Sequence, residues 1–134
     1  SKSNPNENSY VLVMDKPEDI MRKFKRAVTD SEGGVYRSPE KPGVSNLIEI
    51  YAAVTGKSFE AVENEFAGQG YGAFKPAVGE AVVEALRPIR EETDRLLSDK
   101  ATLESRYRQG AEKAAGIAYK TLRKVHKKVG FAPR

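Results

Sequence analysis

The chain has 134 residues, of which 39% are apolar and 31% charged, with a mean hydropathy of −0.59, the composition of a polar globular domain with one real core. It has no cysteine and a single histidine, His126, which excludes a disulfide scaffold, a thiolate metal site, a cysteine nucleophile and a histidine zinc site. The net charge of +4 is unevenly spread: residues 1–99 hold 13 basic and 17 acidic side chains, residues 100–134 hold 10 and 2. A basic terminal quarter on a mildly acidic body is the footprint of a nucleic-acid partner or of a solvated helix face.

The longest apolar run, Tyr10 to Met14, is too short to cross a membrane. No charged stretch followed by an apolar one marks a leader, and the chain opens on Ser1 without Met, so a cytoplasmic fragment or processed chain is expected.

Residues 1–9 are polar and read as a mobile loop. Tyr10–Met14 reads as a strand-like or extended lead-in. A first helix is expected from Pro17, whose missing N–H costs nothing in a first turn, with Glu18 and Asp19 facing the positive dipole end. Its apolar face is Ile20, Met21, Phe24, Ala27 and Val28; Arg22, Lys23, Lys25 and Arg26 cover the other side.

Residues 32–44 form an irregular connector. A second helix is expected over about 45–55, capped by Ser45 and ended by Gly56. Ser58 caps a third, with Phe59, Val62 and Phe66 buried. Gly68, Gly70 and Gly72 make a hinge-like turn, and Pro76 opens a long helix that Pro88 kinks. A last helix over about 101–129 carries one continuous stripe of Tyr107, Ala111, Ala114, Ala118, Leu122, Val125 and Val129, on which Tyr107 reads as core. The fold class is therefore all-α, an antiparallel helical bundle with an irregular N-terminal arm: residues 1–16 a lead-in and 17–134 the helical domain.

The glycines at 68, 70 and 72 lack the strand, spacing and Lys-Ser/Thr of a phosphate loop and read as a turn. Glu80, Glu84, Glu91 and Glu92 read as solvated carboxylates, His126 as a surface residue, and no metal site is expected. Ser1-Lys2-Ser3 is different, since an ammonium between two hydroxyls in a loop is good phosphate chemistry.

That tripeptide resembles the last three positions of the K-M-S-K-S loop of class I aminoacyl-tRNA synthetases. Five further blocks follow in order: Lys25-Arg-Ala-Val-Thr-Asp-Ser31, Lys41-Pro-Gly-Val-Ser-Asn-Leu47, Gly70-Tyr-Gly-Ala-Phe-Lys75, Leu86-Arg-Pro-Ile-Arg90 and Gly110-Ala-Glu-Lys-Ala114. Together they resemble the bacterial tryptophanyl-tRNA synthetases along nearly the whole chain. Tyrosyl enzymes share the loop and fold class, but these blocks look tryptophanyl.

The resemblance implies the carboxyl-terminal part of a two-step ligase, holding the end of the ATP-phosphate loop and an anticodon-facing helical domain. Lys2 would be the catalytic cation on the departing pyrophosphate, with Ser1, Lys2 and Ser3 binding ATP. Mg²⁺ would arrive with the nucleotide. The nucleotide-binding half, the H-I-G-H-like motif and the tryptophan pocket all precede the loop in that family. This chain alone is therefore expected to be inactive and to bind no ATP stably. The implied partner is tRNA(Trp), not DNA and not a membrane, and the full-length enzyme would be a homodimer, largely through the absent half. Lys120, Arg123, Lys124, Lys127 and Lys128 are the residues expected on tRNA. The alternative is a stand-alone helical RNA-binding or protein-interaction module, which charge and periodicity alone would also fit.

Overall fold

The computed structural model describes residues 4–131, and Ser1, Lys2 and Ser3 lie outside the described residues. It is all-α: a short 3-10 turn, Glu7–Ser9, then α1 (Pro17–Lys25), α2 (Pro42–Thr55), α3 (Phe59–Glu65), α4 (Gly70–Ser98) and α5 (Lys100–Val129), with no strand among the described residues. Among the described residues no helix is long and apolar enough to cross a membrane. The chain divides into two compact units; the first ends at Glu91 and the second begins at Glu92.

The arm holds itself by local bonds. The Asn6 N–H donates to Asn4 Oδ1 at 2.9 Å, the Asn8 N–H to Asn6 Oδ1 at 3.0 Å, and the Ser9 hydroxyl to the Asn6 carbonyl at 2.8 Å. Such turns let short amide side chains stand in for absent backbone partners. Tyr10 is extended, as the apolar β-prone run suggests, yet no sheet receives it among the described residues. Val11 packs on the core while Leu12, Val13 and Met14 stay exposed.

Helix α1 begins at Pro17 as expected but ends at Lys25, so Val28 falls outside it and is 86% exposed. Helix α2 starts three residues before Ser45. Pro42 takes the first helical position, and the Ser45 N–H already bonds the Lys41 carbonyl at 2.9 Å. Ser45 is therefore no cap; its hydroxyl instead ties the connector by exchanging bonds with the Ser38 N–H and carbonyl. Gly43 is required here, because a Cβ would run into the Val28 carbonyl oxygen. Gly56 closes the helix in the left-handed conformation, φ 73°, as its C-terminal position predicts.

Ser58 caps α3, accepting the Ala61 N–H. Phe59 is half exposed rather than buried and carries the Arg37 guanidinium 4.1 Å above its ring. Helix α4 starts at Gly70, six residues before Pro76, and runs unbroken through Pro76 and Pro88. Each proline removes the bond to the carbonyl four residues back. Those carbonyls belong to Gly72 and Glu84, both exposed residues, where water can replace the missing donor.

The core of the first unit is Ile20, Phe24, Val35, Val44, Leu47, Ile48, Tyr51, Ala52, Val62, Phe66, Phe74, Val78 and Val82. Its centre is an aromatic triad. The Tyr51 and Phe66 rings meet edge-on at 5.4 Å, and Phe66 and Phe74 are tilted at 4.9 Å. In the second unit, Asp99 caps α5 through the Thr102 N–H, and Gly130 ends it at φ 77°. The α5 stripe, expected as core, is uncovered: none of its residues is buried, and Tyr107 is 72% exposed. Periodicity marks which residues share a face, and burial needs a second surface against that face.

Candidate phosphate loop and nucleic-acid face

The predicted phosphate ligands Ser1, Lys2 and Ser3 fall outside the described residues, and an ion pair ties the arm that follows them to α1. Asp15 and Lys23 form an ion pair at 2.6 Å, with the two side chains 15% and 8% exposed. The same carboxylate oxygen accepts the Leu12 N–H at 2.9 Å, and the Asp15 N–H returns to the Leu12 carbonyl at 3.0 Å. The ammonium also lies 5.3 Å from the centre of the Tyr10 ring. Burial pushes the Asp15 carboxyl up, but the Lys23 hydrogen bond and the Leu12 N–H outweigh it, so it sits below its ordinary value. Helical periodicity puts Lys23 on the solvent face of α1. It is buried instead because its partner lies eight residues back, where a helical pattern cannot see it.

A second buried cation gathers three of the sequence blocks. Lys41 Nζ is 2.8 Å from a Glu32 carboxylate oxygen, 3.2 Å from the Gly34 carbonyl and 3.3 Å from the Tyr71 hydroxyl, and it lies 4.1 Å over the Tyr36 ring. Tyr71 donates in turn to Asp30 at 2.7 Å, and Tyr36 to Glu32 at 2.8 Å. Burial lowers the Lys41 pKa, yet the bonds to Glu32, Tyr71 and Tyr36 carry it above its ordinary value. The Tyr71 hydroxyl holds Asp30 below the usual carboxylate range, and Lys41 does the same for Glu32. The cluster fixes the glycine-containing connector against α2 and the start of α4. No local pattern in the sequence marks its members, although Asp30, Lys41 and Tyr71 stand in three different matching blocks.

These shifts give a pH dependence with a definite sign. Asp15, Asp30 and Glu32 titrate lower in the folded chain than in the unfolded one, from ordinary values of 3.8, 3.8 and 4.5. Their stabilisation is complete above those ordinary values and disappears as pH falls through the lowered ones. The melting temperature of the chain should therefore drop on acidification below pH ~4.5, and Glu32→Gln should flatten part of that drop. A Glu32→Gln melting curve with the wild-type acid slope would show that this carboxylate plays no part in the acid response.

The basic face lies on α5. At 100° per residue, Lys113, Lys120, Lys124 and Lys127 stack in one stripe, flanked by Arg123 and Lys128, over roughly 20 Å of helix. The stripe of Ala111, Ala118, Leu122 and Val129 lies opposite. All six basic side chains are exposed, and among the described residues none forms an ion pair with a carboxylate. Arg108, N-terminal to them on the helix, is instead engaged by Glu104 at 2.7 Å. The helix thus presents a row of uncommitted cations, the arrangement that neutralises a phosphate backbone. Among the described residues no three acidic or histidine side chains converge to hold a metal ion.

Comparison with known proteins gives a consistent result. The family model for class I tRNA synthetases (W and Y) matches residues 1–87. Over 131 residues the chain is 49% identical to the tryptophan–tRNA ligase of Clostridium tetani, covering 98% of this chain and 39% of that protein. It is also 49% identical, over all 134 residues, to the ligase of Clostridium perfringens, covering 40% of that protein. The crystal structure of tryptophanyl-tRNA synthetase from Mycoplasma pneumoniae superposes with a TM-score of 0.57 at 28% identity, over 69% of this chain and 31% of that one. The chain thus spans about two fifths of the length of the curated relatives it matches.

Proposed function

Because this chain belongs to the class I tRNA synthetases of the tryptophan and tyrosine type, we propose that it is the carboxyl-terminal part of a tryptophan–tRNA ligase. The observation that carries this reading is 49% identity to a tryptophan–tRNA ligase over an alignment of the whole chain, which runs on past residue 87, where the family model stops. The full-length enzyme activates tryptophan with ATP and passes it to tRNA(Trp) in the cytoplasm, and it is a homodimer. Residues 1–16 carry the end of the phosphate loop, and residues 17–134 are the helical tRNA-facing domain.

In this reading Lys2 is the catalytic cation. Its ammonium meets negative charge as it develops on the leaving pyrophosphate, and Ser1 and Ser3 donate hydroxyl hydrogen bonds to the same phosphates. Mg²⁺ enters bound to the nucleotide as part of the substrate. The uncommitted cations of α5, Lys120, Arg123, Lys124, Lys127 and Lys128, hold phosphates of the tRNA, which fixes its register without choosing its sequence.

The decisive measurement is amino-acid-dependent exchange of pyrophosphate into ATP by the full-length enzyme. Tryptophan should support exchange and tyrosine should not, because a site shaped and hydrogen-bonded for one ring rejects the other strongly. Exchange driven by tyrosine, or by neither amino acid, would overturn the reading.

A further inference from the structure

Helix α5 carries three kinds of surface around its circumference. Lys113, Lys120, Lys124 and Lys127 form the cation row, and the apolar stripe lies opposite. Between the two runs an edge that belongs to neither. Tyr119, Arg123 and His126 are spaced i, i+4 and i+7, so they line up over about 10 Å of helix, with Arg123 beside the cations. Tyr119 is 63% exposed, and among the described residues no ring, cation or hydrogen-bond partner engages it. The end of the helix extends the same edge. Gly130, at φ 77°, turns the chain back, so that the Phe131 N–H donates to the His126 carbonyl at 3.0 Å and the two rings meet edge-on at 5.5 Å. Phe131 is held by that turn and still 65% exposed, so its ring has little freedom left to lose on stacking.

We infer that Tyr119 and Phe131 are stacking platforms for unpaired bases of the tRNA whose phosphates lie on the neighbouring cation row. This rests on the tRNA partner proposed above. A single RNA strand presents anionic phosphates along one side and the π faces of its bases along the other. The surface that binds it therefore sets cations beside aromatic rings. Helix α5 has that order: the uncommitted ammoniums, then Arg123, whose flat guanidinium can pair with phosphate or stack on a base, then Tyr119 and the His126–Phe131 pair. A paired duplex keeps its bases stacked on one another and offers this edge nothing. The cations thus take up any RNA backbone, and the aromatic edge favours a stretch whose bases are open.

The test uses the full-length enzyme carrying Tyr119→Ala, Tyr119→Phe, Phe131→Ala or both alanines together, titrated at several salt concentrations with tRNA(Trp) and with a fully paired RNA duplex. Each alanine should weaken tRNA binding about 5- to 150-fold and leave the log–log salt slope as it is, since no phosphate contact is lost. Tyr119→Phe should bind as wild type does, because the ring stacks and the hydroxyl has no partner. Duplex affinity should be the same in every variant. Tyr119 is exposed, so its removal should leave the melting temperature unchanged. Wild-type tRNA affinity in the double alanine variant would overturn the proposal. Equal losses for tRNA and duplex, or a flattened salt slope, would do the same. A lowered melting temperature with unchanged tRNA affinity would also overturn it and assign the edge to a protein contact. A wild-type enzyme with no tryptophan-dependent pyrophosphate exchange would instead overturn the functional reading. The tRNA-over-duplex preference of wild type against the double alanine variant would still decide whether this edge takes unpaired bases.

Discussion

Replacing Lys2 by Ala in the full-length enzyme should lower the rate of tryptophan-dependent pyrophosphate exchange by about 10² to 10³ while leaving tryptophan affinity almost untouched. The split between the two quantities is the informative part. Pyrophosphate gains charge at the oxygen that leaves the α-phosphate, so a cation placed there binds the transition state more strongly than the ground state. An interaction of that kind lowers kcat on removal and does little to ground-state affinity. In the proposed enzyme the tryptophan pocket is built by the other half, so the substitution leaves the amino acid's own surroundings intact. Equal falls in kcat and in tryptophan affinity would mean that Lys2 organises the whole site. An unchanged kcat would remove it from the chemistry.

Neutralising Lys120, Lys124, Lys127 and Lys128 together, as four glutamines, should weaken tRNA binding and flatten its dependence on salt. Every phosphate that the protein ceases to neutralise lowers the log–log slope by about 0.7 to 0.9, so four of them lower it by about three. All four side chains are exposed and free of carboxylate partners among the described residues, so no internal ion pair is broken. Exposed substitutions of this kind shift stability by about 0.5 kcal/mol or less, and helix content should stay as it is. Preference for tRNA(Trp) over other tRNAs should also survive, since phosphate contacts position the RNA and base contacts select it. Binding titrations of wild type and the quadruple variant at several salt concentrations give both numbers. An unchanged slope would assign this face of α5 to solvent.

Local signals carry over well from sequence to structure. Ser58 and Gly56 stand at the helix ends they mark, because a cap depends on a few neighbouring backbone groups. The long fifth helix falls within a residue of its expected start. Pairings distant in the chain do not carry over. Lys23 and Lys41 look like solvent-facing charges in any helical or connector pattern. Their burial depends on Asp15 in the arm and on Glu32 and Tyr71, the last 30 residues away. Proline misleads twice, in opposite senses: Pro42 opens α2 ahead of Ser45, and Pro76 sits well inside α4. The apolar stripe of α5 is legible as a stripe, yet its pattern holds no information about what, if anything, covers it. For the candidate site, the chemistry of Ser1, Lys2 and Ser3 is legible as a motif. The ion pair of Asp15 with Lys23 is not legible, because it is a tertiary contact.

Lys41 has one further consequence, for how the first unit comes apart. A single ammonium is shared by the connector at Glu32 and Gly34, by the start of α2 and by Tyr71 of α4. Releasing any one of these segments strips the buried ammonium of a ligand, so partial detachment is penalised more than its own few contacts suggest. The shared ammonium therefore couples the opening of the three segments. The loosest-looking stretch of this unit, a connector rich in glycine and proline, is thus tied through one ammonium to two of its helices.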